Sequence, residues 1–435
     1  MNKEIKTRVL IITYYWPPSG GAGVQRWLKF AKYLPEFGVE PVIYTPSNPE
    51  SPVEDNSLLE DIPSDIQVIK RKIFEPYSFY KVFTGKSQKQ KVNAGFIQEN
   101  KKTGFLESIA VWIRGNLFIP DARKFWVCPS VKFIKKYITE NQIDTIISTG
   151  PPHSMHLIAL QLKKELSIKW IADFRDPWTK VDYYHLLKIG KRADKKHRKL
   201  EQLVIRSADT VLTVSQSWAK DIEQLGGKNV KIITNGYDAS DFKNFPNQLD
   251  DEFSIVHIGT IHKERNPHNL WMVLQELLHE NLYLQSKLKI KLIGKVDFSV
   301  IEEMKVHGLE QFTERISYIP HSDIPGQMMR SRVLLLLISR FPGSSGMIPG
   351  KVFEYLASGR PVLMLGNTQG DTARLIREMR VGEVCEYEDA EQIKSAVIHL
   401  FKRYQANTDS VESVDIKQFE RRELTRSLAE VIHAL

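Results

Sequence analysis

At 435 residues, with 42% hydrophobic and 26% charged side chains, the chain has the composition of a soluble globular protein and is too long for one ordinary core, so two domains are expected. Two isolated cysteines, Cys128 and Cys385, exclude a disulfide framework or a cysteine zinc site and point to a reducing cytoplasm. A formal charge of +9 predicts anionic company, whether nucleotides, nucleic acid or a phospholipid surface.

The first apolar run, RVLIITYYW (8–16), meets Pro17 and Pro18 at once, so it reads as a strand and not as a secretory signal. VQRWLKFAKYL (24–34) follows with Val24, Trp27, Leu28, Ala31 and Leu34 at helical spacing, and VEPVIYTP (39–46) is a second strand. The basic stretch 85–104 precedes FLESIAVWIRGNLF (105–118), which mixes Trp, Phe and Ile with few charges, and LKIGKRADKKHRKLEQ (187–202) is a second basic segment. Both basic segments fit a solvated loop or helix face, or alternatively a footprint on a membrane surface. Neither carries a nucleic-acid-binding motif. DTIISTG (144–150), the helical 155–166, KWIADF (169–174), 208–215 and 230–238 continue an alternation of strands and helices. A polar stretch, 238–253, then reads as a linker. The same grammar restarts with FSIVHIGT (253–260), and 289–296, 332–339, 361–366 and 381–387 supply further strands. The longest apolar run, VLLLLI (333–338), is strand-sized. The fold class expected is α/β, with two Rossmann-like, doubly wound parallel-sheet domains facing across a cleft. The boundaries are 1–240, a linker 241–252, 253–414, and a C-terminal helix in 415–435.

Ligands of such sheets bind at the carboxyl ends of the strands, so the loops there carry the candidate chemistry. In PPSGGAGVQR (17–26), Gly20, Gly21 and Gly23 let the backbone approach an anion at a helix N-terminus, or simply make a tight turn. Arg26 replaces the third glycine of a dinucleotide fingerprint, no carboxylate ends the second strand, and no P-loop lysine follows. Nicotinamide and P-loop chemistry are therefore disfavoured. In STGPPHSMH (148–156), His153 stands where a helix begins, as a cap, a packing residue or a catalyst. In IADFRDPW (171–178), Asp173, Arg175 and Asp176 crowd the end of an apolar strand, either as an ion-pair cluster or as working groups. In GTIHKERNPHNL (259–270), Asn266 is expected as an N-cap and Pro267 as the first helical residue, which puts Arg265 at the positive end of a helix. In GMIPGKVFEYLASGRPV (346–362), Val352, Phe353, Leu356 and Ala357 share the core face of a short helix, and Lys351, Glu354 and Ser358 lie opposite. Glu354 is then a solvated partner of Lys351, or a carboxylate that accepts two hydroxyls of a ribose or sugar diol.

The ordered set of the glycine-rich first loop, NGYDASDF (235–242), GTIHKERNP and PGKVFEYLASGRPVL resembles the family 4, retaining, GT-B-type glycosyltransferases over most of the chain. The DFRDPW segment looks closest to their bacterial surface-polysaccharide branch. The resemblance implies that the C-terminal domain holds a nucleotide-sugar donor, the N-terminal domain an acceptor, and that the last helix crosses back to the first domain. It places Glu354 on the donor ribose, and Arg265, Lys351, Gly350 and Thr260 around the diphosphate with Gly20, Gly21 and Gly23. It assigns catalysis to Asp173, Arg175, Asp176 and His153, with Arg175 beside the donor sugar. Gly346 stands where the family has the first glutamate of its E-x7-E motif. The expected reaction moves a sugar from a UDP- or GDP-linked donor to an acceptor hydroxyl with retention, and without a metal or other cofactor. The expected acceptor is lipid-linked or an oligosaccharide. The basic, aromatic segments suggest peripheral contact with anionic lipids of the inner membrane face, and no nucleic acid is expected. Two other readings remain, a nucleotide-sugar 2-epimerase of the same architecture and a non-catalytic nucleotide-binding protein.

Overall fold

A computed structural model of the chain describes residues 7–51, 54–74, 105–243, 245–246, 248–317, 319–341, 343–408, 410–411 and 415–435. The basic stretch 85–104 lies outside the described residues. The chain forms two compact units, one running to Thr234 and completed by Arg421–Leu435, the other Asn235–Glu420.

In the first unit β1 (Thr7–Ile12), β2 (Val39–Pro46), β3 (Gln67–Arg71), β4 (Thr145–Gly150), β5 (Lys169–Phe174), β6 (Thr210–Thr213) and β7 (Val230–Ile232) form a parallel sheet of order β3-β2-β1-β4-β5-β6-β7. Ile12 lies opposite both Tyr44 and Ser148, and Thr149 lies opposite Asp173. The loops after β1, β4 and β5 therefore leave one edge of the sheet, at the point where strand order reverses. Its helices are α1 (Ala22–Tyr33), α2 (Phe105–Asn116), α3 (Lys124–Glu140), α4 (Ser154–Glu165), α5 (Lys191–Ser207) and α6 (Gln216–Gln224). Val24, Trp27, Leu28 and Ala31 of α1 cover one face of the sheet, and Ile134, Ile138, Met155 and Ile158 of α3 and α4 cover the other. Burial on both faces explains why the strands read as continuous apolar runs instead of alternating ones. The final helix, Arg421–His433, extends the α1 side of the core with Leu424, Leu428, Ala429 and Ile432. Arg422 Nε meets Glu36 at 2.6 Å, and His433 Nε2 lies 3.0 Å from the Phe37 carbonyl.

In the second unit β8 (Phe253–Ile258), β9 (Leu288–Ile293), β10 (Thr313–Ile316), β11 (Val333–Leu337), β12 (Val362–Leu365) and β13 (Gly382–Cys385) form a parallel sheet of order β10-β9-β8-β11-β12-β13. It is flanked by α7 (His268–Glu280), α8 (Leu282–Lys287), α9 (Phe298–Val306), α10 (Ile324–Arg330), α11 (Gly350–Ala357), α12 (Asp371–Glu378) and α13 (Ala390–Gln405).

Three expectations change. The strand expected over 230–238 stops at Ile232, because it is an edge strand with Lys231 and Ile232 exposed and only one neighbour to extend along. Edge strands β3 and β10 carry Lys, Arg or Glu and give no apolar run in the sequence. The polar linker is not wholly solvated. Asp250, with a side chain 1% exposed, takes Lys291 and Arg330 at 2.7 Å each and staples the segment to β9 and α10. Among the described residues no helix is long and apolar enough to cross a membrane.

Candidate active site

The loops after β1, β4 and β5 build one cluster in the first unit. Gly21 has φ +104° at the mouth of α1, a conformation that favours glycine. Gly23 lies under the Arg175 guanidinium so closely that a Cβ there would collide with it. Arg175 Nη2 donates to the Pro151 carbonyl at 3.0 Å, and its Nε lies 3.7 Å from Asp176. Partial desolvation raises the pKa of Asp176, whose side chain remains 44% exposed, while the Arg175 charge opposes the shift.

His153 is 6% exposed and stacks on Trp178 at 4.7 Å and 4°. Burial, reinforced by His156 and the Arg175 charge, holds its pKa well below the ordinary value, so the ring is neutral. Neither ring nitrogen has a hydrogen-bond partner among the described residues. The capping role is taken by Asp121, whose oxygens accept from Ser154 N at 2.9 Å and Ser154 Oγ at 2.8 Å. His153 is thus a buried, neutral, two-sided hydrogen-bonding group at the strand edge. The loop itself hangs on α5. Glu201 accepts from the amides of Trp178 and Thr179 at 3.2 Å and from Thr179 Oγ1 at 2.7 Å, and His197 Nδ1 accepts from Trp178 Nε1 at 3.1 Å.

Asp173 is held in a buried network of its own. Its side chain is fully buried and takes Arg26 Nη2 at 3.1 Å, Trp27 Nε1 at 2.8 Å and Thr149 Oγ1 at 2.9 Å. Arg26, equally buried, also donates to the carbonyls of Ile233 and Thr234 at 2.9 and 2.8 Å. The ion pair clamps α1 to β5. Sequence reasoning noted Arg26 only as a missing glycine.

The second cluster lies at the carboxyl ends of β8 and β11. Gly259 and Gly294 have φ of +124° and +122°, and a Cβ on Gly294 would come within 2.5 Å of the Gly259 carbonyl, so both positions need glycine. Lys351 Nζ donates to the Ile258 carbonyl at 2.6 Å and lies 2.5 Å from where a Cβ on Gly259 would be. Burial first, then the Arg265 charge, lowers its pKa to about 8, with Glu354 opposing. Arg265 sits on a single 3-10 turn, Lys263–Arg265, and its Nε donates to Ser339 Oγ at 2.5 Å. Thr260 is half-buried after Gly259, and Gly350 is the first residue of α11.

Several local expectations are corrected here. Helix α7 begins at His268 with Pro267 as its N-cap residue, so Arg265 is held by Ser339 and not by a helix N-terminus. Asn266 uses its amide on Glu303 and on Trp271 Nε1, the latter at 2.8 Å, instead of capping. Lys351 turns in to the strand end, since the Ile258 carbonyl offers an acceptor that the solvated face lacks. Ser358 is buried, with its Oγ donating to the Tyr355 carbonyl at 2.6 Å. Glu354 remains half-buried on α11, and its carboxylate makes no hydrogen bond or ion pair among the described residues. Two further polar groups border the cluster. Tyr355 OH accepts from the Ile258 amide at 3.4 Å, and His257, neutral through burial, keeps Nε2 without a partner among the described residues. The histidine inside the apolar run IVHI (255–258) was the available signal for His257.

Residues 96–241 match the family described as Glycosyltransferase Family 4, and residues 252–403 match Glycosyl transferases group 1. No curated protein matches the sequence. Among solved structures, sucrose-phosphate synthase from Thermosynechococcus elongatus superposes with TM-score 0.65 at 12% identity, over 99% of each chain. Anabaena Alr3699/HepE in complex with UDP gives 0.65 at 14% identity, over 99% of this chain and 100% of that one. A Listeria monocytogenes protein described as a UDP-N-acetylglucosamine 2-epimerase gives 0.56 at 12%, over 99% and 96%. At such identities the likeness establishes the two-unit GT-B fold alone.

Proposed function

Since this chain belongs to the glycosyltransferases of GT-B type, we propose that it moves a sugar from a nucleoside-diphosphate donor to an acceptor hydroxyl with retention at the anomeric carbon. The observation that carries the reading is Lys351 at the end of β8 beneath Gly259, with Arg265, anchored on Ser339 after β11, near enough to lower its pKa, and Glu354, without a hydrogen bond among the described residues, one helical turn beyond Lys351. Two cations beside a bare backbone suit a diphosphate, and a carboxylate nearby suits a ribose diol. Thr260 and Gly350 lie in the same cluster. In the reaction the bond from C1 to the diphosphate oxygen breaks and the nucleoside diphosphate leaves with the electron pair. A bond from C1 to the acceptor oxygen forms, and the acceptor proton passes to the leaving phosphate. Arg265 and Lys351 stabilise the leaving charge, so activity is expected to survive chelation of divalent metals. The first unit is assigned the acceptor, while its Gly20, Gly21 and Gly23 are assigned to the donor diphosphate and Arg175, with Asp176 and neutral His153, to the donor sugar and the chemistry. The DFRDPW segment and the basic surface favour a lipid-linked acceptor of surface-polysaccharide synthesis at the cytoplasmic membrane face.

Lys351 supplies the test. Its pKa of about 8 in the free protein rises when a diphosphate arrives, so binding takes up a proton near pH 8 and affinity falls as pH rises through that value. Calorimetric titration with UDP, GDP and their sugars in two buffers of different ionisation enthalpy should show this uptake, and Lys351→Met should abolish it. Binding with no proton uptake in the native protein would remove Lys351 from the donor site. Incubation with a UDP-sugar and no acceptor separates the epimerase, because a free epimer as product would overturn the transferase reading.

Gly23→Ala tests the first unit. Alanine is favoured over glycine inside a helix by about 1 kcal/mol, so thermal stability should hold or rise. The displaced Arg175 guanidinium should lower kcat/KM on the order of 10²-fold. Native turnover in this variant would detach Arg175 from the chemistry.

A further inference from the structure

The first unit carries an apolar surface outside the candidate site. Ile109 and Trp112 are exposed on α2, at 39% and 46%, and Leu117 and Phe125 follow at 54% and 44%. Phe125 packs edge-on against Phe118 at 5.9 Å and Phe74 at 5.6 Å, so the aromatic part is continuous. Lys124 lies over Phe118 and Phe125, at 5.3 and 5.1 Å, and donates to the Leu117 carbonyl at 2.6 Å.

The basic helix α5 adjoins the same surface. Asn116, ending α2, donates to the Lys188 carbonyl at 3.1 Å and accepts from the Gly190 amide at 2.8 Å, and Lys188 Nζ donates back to Ser108 Oγ at 2.9 Å. Arg192, Lys195, Lys196 and Lys199 are exposed at helical spacing along α5, while Ala193, His197 and Glu201 are buried. Lys196 lies near enough to Lys124 to depress its pKa, after the effect of burial. Exposed aromatic and aliphatic groups rimmed by lysines form the pattern of an interfacial surface that meets anionic headgroups. The buried side of α5 carries the His197 and Glu201 contacts that hold the loop of Arg175.

We infer that α2, Leu117, Phe125 and the exposed face of α5 form a docking surface for an anionic phospholipid bilayer, with Ile109, Trp112, Leu117 and Phe125 entering the headgroup layer and the α5 lysines lying over it. This deepens the proposal of a lipid-linked acceptor and rests on that reading for its purpose. The test contains neither donor nor acceptor, so its failure is distinct from failure of the transferase assignment.

The full chain is sedimented with phosphatidylcholine vesicles, with and without phosphatidylglycerol. It should pellet with the anionic vesicles only, and less as salt rises. The triple variant Lys195→Glu, Lys196→Glu, Lys199→Glu should lose at least about fivefold in partitioning for each cation removed. Trp112→Ser with Leu117→Ser should lose binding to the anionic vesicles at every salt concentration. Both variants should keep the native far-ultraviolet circular dichroism and thermal transition, which shows that they fold. A native chain that ignores anionic vesicles, or variants that bind them as well as the native chain, would overturn the assignment. So would a dimer that the Trp112 variant dissolves, which would give the face to a second copy.

Discussion

Glu354→Ala is expected to weaken binding of the nucleoside-diphosphate sugar by on the order of 10²-fold while leaving stability within about 0.5 kcal/mol of the native chain. The two halves of that expectation have separate grounds. The carboxylate is half-buried and makes no hydrogen bond or ion pair among the described residues, so the folded unit loses only a weak attraction to Lys351 when it is removed. The core side of α11 is carried by Val352, Phe353, Tyr355 and Leu356, which the substitution leaves alone. If the carboxylate accepts two hydroxyls of a ribose, each charge-assisted bond contributes about 1.5–3 kcal/mol, and losing both gives the stated factor or more. Glu354→Gln keeps one acceptor oxygen and should fall between, at about tenfold. Calorimetry with matched ribose and 2′-deoxyribose donors is the measurement, since the deoxy donor should bind the native and alanine proteins more nearly alike. An alanine variant with native affinity for the ribose donor would sink the assignment.

Asp173→Ala should destabilise the first unit by about 3–5 kcal/mol. It strands the Arg26 guanidinium in a site with no solvent access and leaves Trp27 Nε1 and Thr149 Oγ1 without their acceptor. Arg26→Met with Asp173→Leu removes both charges and fills the space with apolar groups. That double variant should recover most of the loss, because a buried pair contributes little net stability compared with hydrophobic replacements. Urea unfolding followed through the first unit's transition, with unchanged slope, reads both effects. A loss below about 1 kcal/mol in the single variant would mean that water reaches the pair.

Much of the fold was legible because parallel strands buried on both faces announce themselves as unbroken runs such as VLII and VLLLL, and because the same strand–helix grammar starts twice. The strands missed or overextended, β3, β10 and β7, are edges. Their exposure lets Lys, Arg and Glu in, and with those residues the apolar signal disappears. Composition singled out the loops at the strand ends, but contact decides what each side chain does there. Asp173, Arg175 and Asp176 look alike in sequence as charges at a strand end. Register turns Asp173 inward to a buried arginine 147 positions earlier and leaves Arg175 above Gly23. In the same way the helical wheel placed Lys351 on the solvent face. It could not know that the Ile258 carbonyl, 93 residues away, stands within 2.6 Å.

The last helix, Arg421–His433, has a consequence for the order of events during synthesis. The second unit is, in chain terms, an insertion between the body of the first unit and its closing piece. A ribosome that has delivered residue 420 has released every residue of the second sheet, while Val24, Trp27 and Leu28 still lack Leu424, Leu428 and Ile432 as neighbours. The unit begun first is therefore finished last. A nascent chain must keep this side of α1 from other apolar surfaces until the helix Arg421–His433 emerges.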